Sequence, residues 1–114
     1  MIGNPKQFAK QLLLLRQWEQ DNLPHQNSMI ARDIMVLVLA KYSSGTPLTI
    51  KDVHLTLGYS EDRVGEMIKQ FTKDGFLIVE RDINDRRIKT VKPNYKLISL
   101  FEEYEMVIRN YMNI

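Results

Sequence analysis

The sequence contains no cysteine among its 114 residues, which excludes disulfides, thiolate nucleophiles and Cys-ligated zinc sites. Its longest apolar run, Ile34 to Ala40, is far too short to span a bilayer. The first ten residues lack the basic start, apolar core and small-residue cleavage site of a secretory signal. We therefore expect a cytoplasmic protein with no membrane partner.

The sequence also has few groups that could support catalysis. It contains two histidines, His25 and His54, and neither has a second histidine or a carboxylate at metal-ligand spacing. No nucleophile, base and orienting group occur together, and there is no glycine-rich phosphate loop. We therefore expect neither an enzyme nor a metal or cofactor site.

The net charge of the sequence is only +2, which is small for a protein that binds nucleic acid through charge alone. This charge is unevenly distributed. Residues 76–93 carry five basic and three acidic side chains, whereas residues 60–74 carry three basic and four acidic ones. Any binding of nucleic acid must therefore depend on where the positive side chains lie.

The composition is that of a globular protein, with 44% apolar and 26% charged residues. At this length we expect one domain spanning residues 1–114. Its core must be modest, and chains of this size commonly gain further burial from a partner subunit.

The first predicted helix covers residues 5–20, where Pro5 suits the first helical turn. One apolar stripe recurs along it at helical spacing, formed by Phe8, Leu12, Leu15 and Trp18. Leu13 and Leu14 widen this stripe beyond what a lone surface helix needs, so part of the helix should face a second apolar surface. A second subunit is one source of that surface, and burial within the same chain is the alternative.

The last predicted helix covers residues 95–112, with Asn94 as its N-cap. Its broad apolar face is formed by Leu97, Leu100, Phe101, Tyr104, Val107, Ile108 and Tyr111. Packing against the first helix, of the same chain or of a partner, is the simplest way to cover this face.

A third helix, from Met29 to Tyr42, is predicted between these two, with Ser28 as its N-cap. Its residues are apolar on nearly all sides from Ile34 to Ala40. A helix of that kind is buried, so we expect it to be the central helix of the core.

The stretch from Leu48 to Pro93 predicts a helix, a turn, a second helix and a β-hairpin. Thr49 and Asp52 form a capping box for a short helix from Ile50 to Leu57, and Gly58 ends it. Ser60 caps the second helix, whose amphipathic pattern is set by Val64, Met67, Ile68 and Phe71.

The second helix ends at Gly75, and the pattern then changes to β-branched and aromatic residues. Strands are predicted over Phe76 to Asp82 and over Arg87 to Lys92, with a charged loop between them. The fold class is therefore mainly α with a small β-hairpin. It is a winged helix-turn-helix over residues 48–93, flanked by N- and C-terminal helices that we expect to form a dimer.

Two segments resemble the winged-helix core of the MarR family of transcription regulators. One is Gly75-Phe76-Leu77-Ile78, which is similar to the family's helix-ending glycine and first wing strand. The other is Asp85-Arg86-Arg87, which is similar to its acidic-arginine wing. The resemblance covers about residues 28–112, and the small size is closer to the compact SarA-like branch than to longer members.

This resemblance implies a homodimeric, sequence-specific regulator of transcription that binds double-stranded DNA. The recognition helix would lie in the major groove and the wing beside the minor groove. The implied DNA-binding residues are Lys51, Ser60, Arg63, Glu66, Lys69, Arg86, Arg87 and Lys89. The dimer interface that we expect is formed by Phe8, Leu12, Leu15, Phe101, Tyr104, Ile108 and Tyr111. Family members often have an effector pocket, but no ligand-specific group of residues indicates one here.

The sequence departs from the family just after Ser60, where Glu61 and Asp62 replace the usual small, polar or basic residues. Carboxylates at this end of the helix would repel phosphates unless they contact cytosine amino groups or pair with Arg63. The alternative function is therefore a winged-helix module that binds proteins, or an antagonist of another regulator, and that does not itself bind DNA.

Overall fold

The computed structural model describes residues 3–112. In this range five helices and three short strands follow one another: α1 (Pro5–Asn22), α2 (Met29–Ser43), β1 (Leu48–Thr49), α3 (Ile50–Leu57), α4 (Glu61–Lys73), β2 (Leu77–Arg81), β3 (Lys89–Pro93) and α5 (Tyr95–Met112). The predicted fold class, a mainly α winged helix-turn-helix, is confirmed. None of the helices in this range is long and apolar enough to cross a membrane.

The helices begin and end where local chemistry favours it. Asn4 and Ser28 cap α1 and α2 through side-chain oxygens that accept backbone N–H groups. Helix α1 continues to Asn22, two residues past the end expected from the sequence, and its backbone becomes extended at Leu23, which precedes Pro24.

The sheet contains one strand that the sequence did not predict. Strand β3 lies in the centre, antiparallel to both β1 and β2. Strand β1 is only two residues long, and its Leu48 pairs with Val91. Because the two residues are 43 positions apart in the chain, no local pattern could reveal their pairing. The hairpin thereby gains a third strand and an attachment to the start of α3.

The core forms around α2, as expected. Ile34, Met35 and Val38 of this helix are buried, and they pack in one cluster with the apolar faces of α3, α4 and the sheet. Phe71 of α4 is fully buried in the same cluster, and Leu97 at the start of α5 completes it. Helix α4 is therefore fixed by its inner face.

Helices α1 and α5 contact each other through a pair of aromatic rings and a buried carboxylate beside them. The rings of Trp18 and Tyr104 stack with centroids 5.4 Å apart. Beside them, the buried carboxylate of Glu19 accepts a hydrogen bond from the Tyr104 hydroxyl. The same carboxylate pairs with Arg16 of α1 at 3.4 Å and with Arg32 of α2 at 3.2 Å. Glu19 thus joins three helices.

Burial raises the pKa of Glu19, but the hydrogen bonds from Tyr104, Arg32 and Arg16 outweigh it and hold the pKa below its usual value. The charged form is therefore favoured by folding. Its stabilising effect is fully present above the pKa of an unfolded glutamate and is lost as the pH falls through the lower folded pKa.

We expect Glu19→Gln to lower the free energy of unfolding at neutral pH by about 1–3 kcal/mol, because it removes the negative charge that pairs with Arg16 and Arg32 and replaces one acceptor oxygen with an N–H donor. The difference from the wild type should shrink as the pH falls through the folded pKa of Glu19. Urea unfolding followed by circular dichroism at several pH values measures both effects. Glu103→Gln, at an exposed position of α5, is the control, and equal losses in the two variants would contradict this role.

Candidate nucleic-acid interface

Helices α3 and α4 form the helix-turn-helix. The capping box at the start of α3 is present: Asp52 N donates to Thr49 Oγ1 and Thr49 N donates to Asp52 Oδ2, both at 3.0 Å. Gly58 ends α3 with a φ of +78°, a backbone conformation that residues with a Cβ rarely adopt. The chain can then turn sharply into α4, as the sequence predicted.

Helix α4 presents one polar face to solvent. Val64, Ile68 and Phe71 are buried on the other side. The exposed side chains are Glu61, Asp62, Arg63, Glu66, Lys69, Gln70, Thr72 and Lys73. The structure therefore brings three of the predicted DNA-binding residues, Arg63, Glu66 and Lys69, to an open helix face.

Ser60 stands at the N-terminus of this helix and is exposed. Its hydroxyl accepts the backbone N–H of Arg63 at 3.2 Å, so the N-cap predicted from the sequence is present. Glu61 and Asp62 follow in the first turn, both exposed, where their charge complements the helix dipole. The end of the helix therefore carries negative as well as positive groups.

Tyr59, in the turn before α4, makes contacts that the sequence did not indicate. Its hydroxyl donates to Asp33 Oδ2 of α2 at 2.7 Å, and this hydrogen bond raises the pKa of Tyr59. The guanidinium carbon of Arg63 lies 5.2 Å from the centre of the Tyr59 ring. No sequence signal could find the pair with Asp33, which lies 26 positions away.

The tip of the wing is held in shape by acidic side chains. Asp82 Oδ1 accepts the backbone N–H groups of Asn84 and Asp85 at 2.8 and 3.0 Å. Asp85 in turn accepts two bonds from the guanidinium of Arg87, each 3.0 Å long. Its hydrogen bonds with the Arg87 side chain and backbone hold the pKa of Asp85 below the usual value. The carboxylates of Asp82 and Asp85 therefore hold the backbone of the loop and the side chain of Arg87 in place.

The two wing arginines differ in their contacts. Arg87 is paired with Asp85, whereas the exposed side chain of Arg86 forms no ion pair within the part of the chain that the structure describes. The backbone carbonyl of Arg86 accepts a bond from Arg81 at 2.7 Å, which fixes the chain at that point. Arg86 thus offers a free guanidinium on a fixed backbone.

The remaining predicted DNA-binding residues lie on neighbouring elements. Lys51 is exposed in the first turn of α3, and Lys89 is exposed at the start of β3. Lys92, further along β3, is paired with Glu80 at 2.8 Å.

The predicted dimer-interface residues differ in exposure. Phe8 and Leu12 are exposed on α1, and Leu15 is partly buried. On α5, Phe101, Ile108 and Tyr111 are partly buried, while Tyr104 is buried by contacts within its own chain. A cavity of about 530 Å³ runs along α5, and its lining includes Leu39, Ile98, Phe101 and Ile108.

The metal-ligating residue types do not cluster in residues 3–112: no three His, Asp or Glu side chains lie together in a way that could hold an ion. His25 instead contacts Asp74 at 3.3 Å and packs edge-on against Phe71.

Comparison with solved structures found many proteins of this architecture. PefR from Streptococcus agalactiae, a heme sensor in complex with heme, is 18% identical, with a TM-score of 0.65 over 97% of this chain and 80% of that chain. A variant of S. aureus MepR bound to an oligodeoxyribonucleotide is 15% identical, with a TM-score of 0.74 over 99% and 81%.

The transcriptional regulator Tm0710 from Thermotoga maritima is 18% identical, with a TM-score of 0.68 over 93% of this chain and 72% of that chain. The chain has the winged-helix fold of MarR-family regulators. Of these proteins, PefR is described as a heme sensor and Tm0710 as a transcriptional regulator. No protein-family model matches the sequence, and a search of curated proteins found no match.

We expect Asp82→Ala to loosen the tip of the wing. Without the Asp82 carboxylate, the amides of Asn84 and Asp85 lose their acceptor, so their hydrogen exchange should become roughly tenfold faster. Amide exchange measured by NMR tests this. Glu80→Ala is the control, because it removes a carboxylate from the same hairpin outside the loop, and equal acceleration in both variants would contradict the role of Asp82.

Proposed function

We propose that this protein is a cytoplasmic, dimeric, sequence-specific regulator of transcription that binds double-stranded DNA. In this proposal α4 lies in the major groove and the wing lies beside the minor groove. The supporting observation is the open polar face of α4 beside a wing whose exposed Arg86 forms no ion pair within residues 3–112. A major groove about 12 Å wide admits an α-helix, and arginine is attracted to narrow minor grooves.

The proposed roles follow from the chemistry of each side chain. Arg63 and Glu66 face the base edges, where arginine can contact guanine bidentately and a carboxylate can accept from cytosine. Arg86 enters the minor groove, and Arg87 contributes less because Asp85 already occupies it. The residues proposed to contact phosphates are Lys51, Ser60, Lys69 and Lys89.

The similar structures add support from outside the chain. MepR, which shares the fold over nearly the whole of this chain, is known in a complex with an oligodeoxyribonucleotide. A fold alone does not establish a function, so the proposal depends on the charge and exposure of the residues named above.

The dimer is supported by apolar surface that this chain leaves uncovered. Phe8, Leu12, Leu13 and Leu14 of α1 are all more than two-fifths exposed. A second copy that covered them together with the cavity along α5 would bury one continuous apolar surface, as two-fold related helices do in other dimers. We propose that α1 and α5 of two chains form that interface.

We propose no effector for this protein. PefR is described with heme and MepR with ethidium bromide. The cavity along α5 of this chain is lined mainly by apolar residues, and its chemistry does not select one ligand.

The second candidate function is a protein-binding module that does not bind DNA. It is favoured by Glu61 and Asp62, which are both exposed at the N-terminus of α4, where phosphate would approach. Capture of a protein partner by a chain that has no affinity for any DNA would support this alternative.

We expect binding to DNA that weakens as salt increases, because cations are released from the phosphates. Arg86→Ala should reduce the affinity for a site selected from random DNA by roughly tenfold, since it removes a side chain without an internal partner. Fluorescence anisotropy over a range of salt concentrations measures both effects. Lys10→Ala, on the exposed part of α1, is the matched control. Absence of binding, or binding that does not depend on salt, would contradict the proposed function.

We also expect a dimer in solution. Ile108→Glu should convert it to a monomer, because a carboxylate would be buried in an apolar interface without a partner. Analytical ultracentrifugation measures the mass. The control is Ile83→Glu, since Ile83 is 94% exposed at the wing tip. A wild-type monomer, or dissociation by both substitutions alike, would contradict the interface.

A further inference from the structure

Arg63 is the single arginine of α4, and acidic residues surround it in the sequence. Glu61 and Asp62 precede it, and Glu66 stands three positions later on the same face. Nevertheless, among residues 3–112, Arg63 forms no ion pair within 4.0 Å. Its donors are therefore not consumed by the neighbouring carboxylates.

Arg63 instead lies against the ring of Tyr59, with its guanidinium carbon 5.2 Å from the ring centre. A cation at this distance from a tyrosine ring is attracted by the negative face of the ring. The contact engages the arginine through the ring face, so the N–H groups of Arg63 remain available for hydrogen bonds.

Tyr59 is itself fixed from two directions. Its backbone carbonyl accepts the Nδ1–H of His54 at the end of α3. Its hydroxyl donates to Asp33 Oδ2 at 2.7 Å. Asp33 belongs to α2 and is followed by the buried Ile34 and Met35, so the anchor is part of the core helix. A continuous chain of contacts therefore runs from the core to Arg63.

We propose that Tyr59 and Asp33 are positioning residues that hold Arg63 in place for a bidentate contact with a guanine in the major groove. This inference rests on the proposed DNA-binding function and adds the source of its sequence specificity. A free arginine on this helix could turn towards Glu66 or Asp62. The Tyr59 ring opposes that movement, and the Asp33 bond keeps the ring where it can do so.

The mechanism predicts an effect on discrimination between sequences rather than on general affinity. Phosphate contacts supply most of the salt-dependent affinity, whereas base contacts supply the difference between sites. A positioning defect should therefore leave binding to unrelated DNA and its salt dependence unchanged. It should reduce only the preference for the selected site over the same site with its guanine replaced.

The experiment first selects bound sequences from random DNA with the wild-type protein. We then identify the guanine that Arg63 contacts as the position at which the Arg63→Ala variant loses its base preference. For a good bidentate contact this loss should be about 5- to 150-fold. Tyr59→Phe keeps the ring and removes the hydroxyl, so it should reduce the same preference by about two- to tenfold, the contribution of one hydrogen bond. Asp33→Asn should act in the same direction.

A double-mutant cycle separates positioning from general stability. When Arg63 is already alanine, Tyr59→Phe should have no further effect on base preference, because the group that it positions is gone. The matched control is Tyr95→Phe, at an exposed position at the start of α5. The thermal unfolding midpoint of each variant is measured in parallel.

Two results would overturn the positioning role while leaving the proposed function intact. One is wild-type base preference in Tyr59→Phe. The other is an equal loss of affinity for all DNA that accompanies a lower unfolding midpoint, which is the behaviour of a purely structural contact. Failure of the wild-type protein to bind any DNA would instead overturn the proposed function, and with it this inference.

Discussion

Burial of the inner face of α4 against α2 is the constraint on which the rest of the structure depends. Val64, Ile68 and Phe71 are all within 2% of complete burial, and each such side chain stabilises the fold by about 1.5–3 kcal/mol. Their spacing leaves no freedom to rotate the helix without exposing one of them. The polar side of α4 is therefore fixed in direction by its apolar side, and the candidate interface is a consequence of core packing.

Around this fixed helix, short polar contacts hold the wing and the turn before α4 in place. The wing is held by Asp82 and Asp85, which bind backbone amides and Arg87. The turn before α4 is held by Tyr59, which contacts α2 and α3. In both places an acidic side chain lowers the net positive charge but also holds an arginine in position: Asp85 binds Arg87, and Asp33 binds the Tyr59 against which Arg63 lies. The small net charge of +2 is thus compatible with a local arrangement suited to phosphates.

Helices α1 and α5 are held together by a buried ionic group and not by exposed polar contacts. Helices α1 and α5 meet through a stacked aromatic pair and a buried carboxylate that joins three helices. Burying Glu19 with two arginines and a tyrosine satisfies its charge, and it fixes the position of α1 relative to α2. Beyond this contact, α1 exposes Leu12, Leu13 and Leu14 to solvent.

The sequence by itself determined the five helices, the two strands of the hairpin and their order, but not the short strand β1. The capping box at Thr49, the glycine at position 58 and the period of the apolar residues in α4 are local signals, and local energetics decides such features. They sufficed for the helix-turn-helix and for the exposed face that carries Arg63, Glu66 and Lys69. The sequence does not determine which of Arg86 and Arg87 pairs with Asp85, because both lie within reach along the chain.

Only the tertiary structure decided the contacts between distant residues. The pairing of Leu48 with Val91, the link from Tyr59 to Asp33 and the burial of Glu19 beside Tyr104 join residues 26 to 85 positions apart. Such contacts form when packing of the core brings separate elements together, and they leave no periodic trace in the sequence. Local signals therefore set which residues form the apolar and polar faces of each helix, and the packed fold set which residues each face contacts.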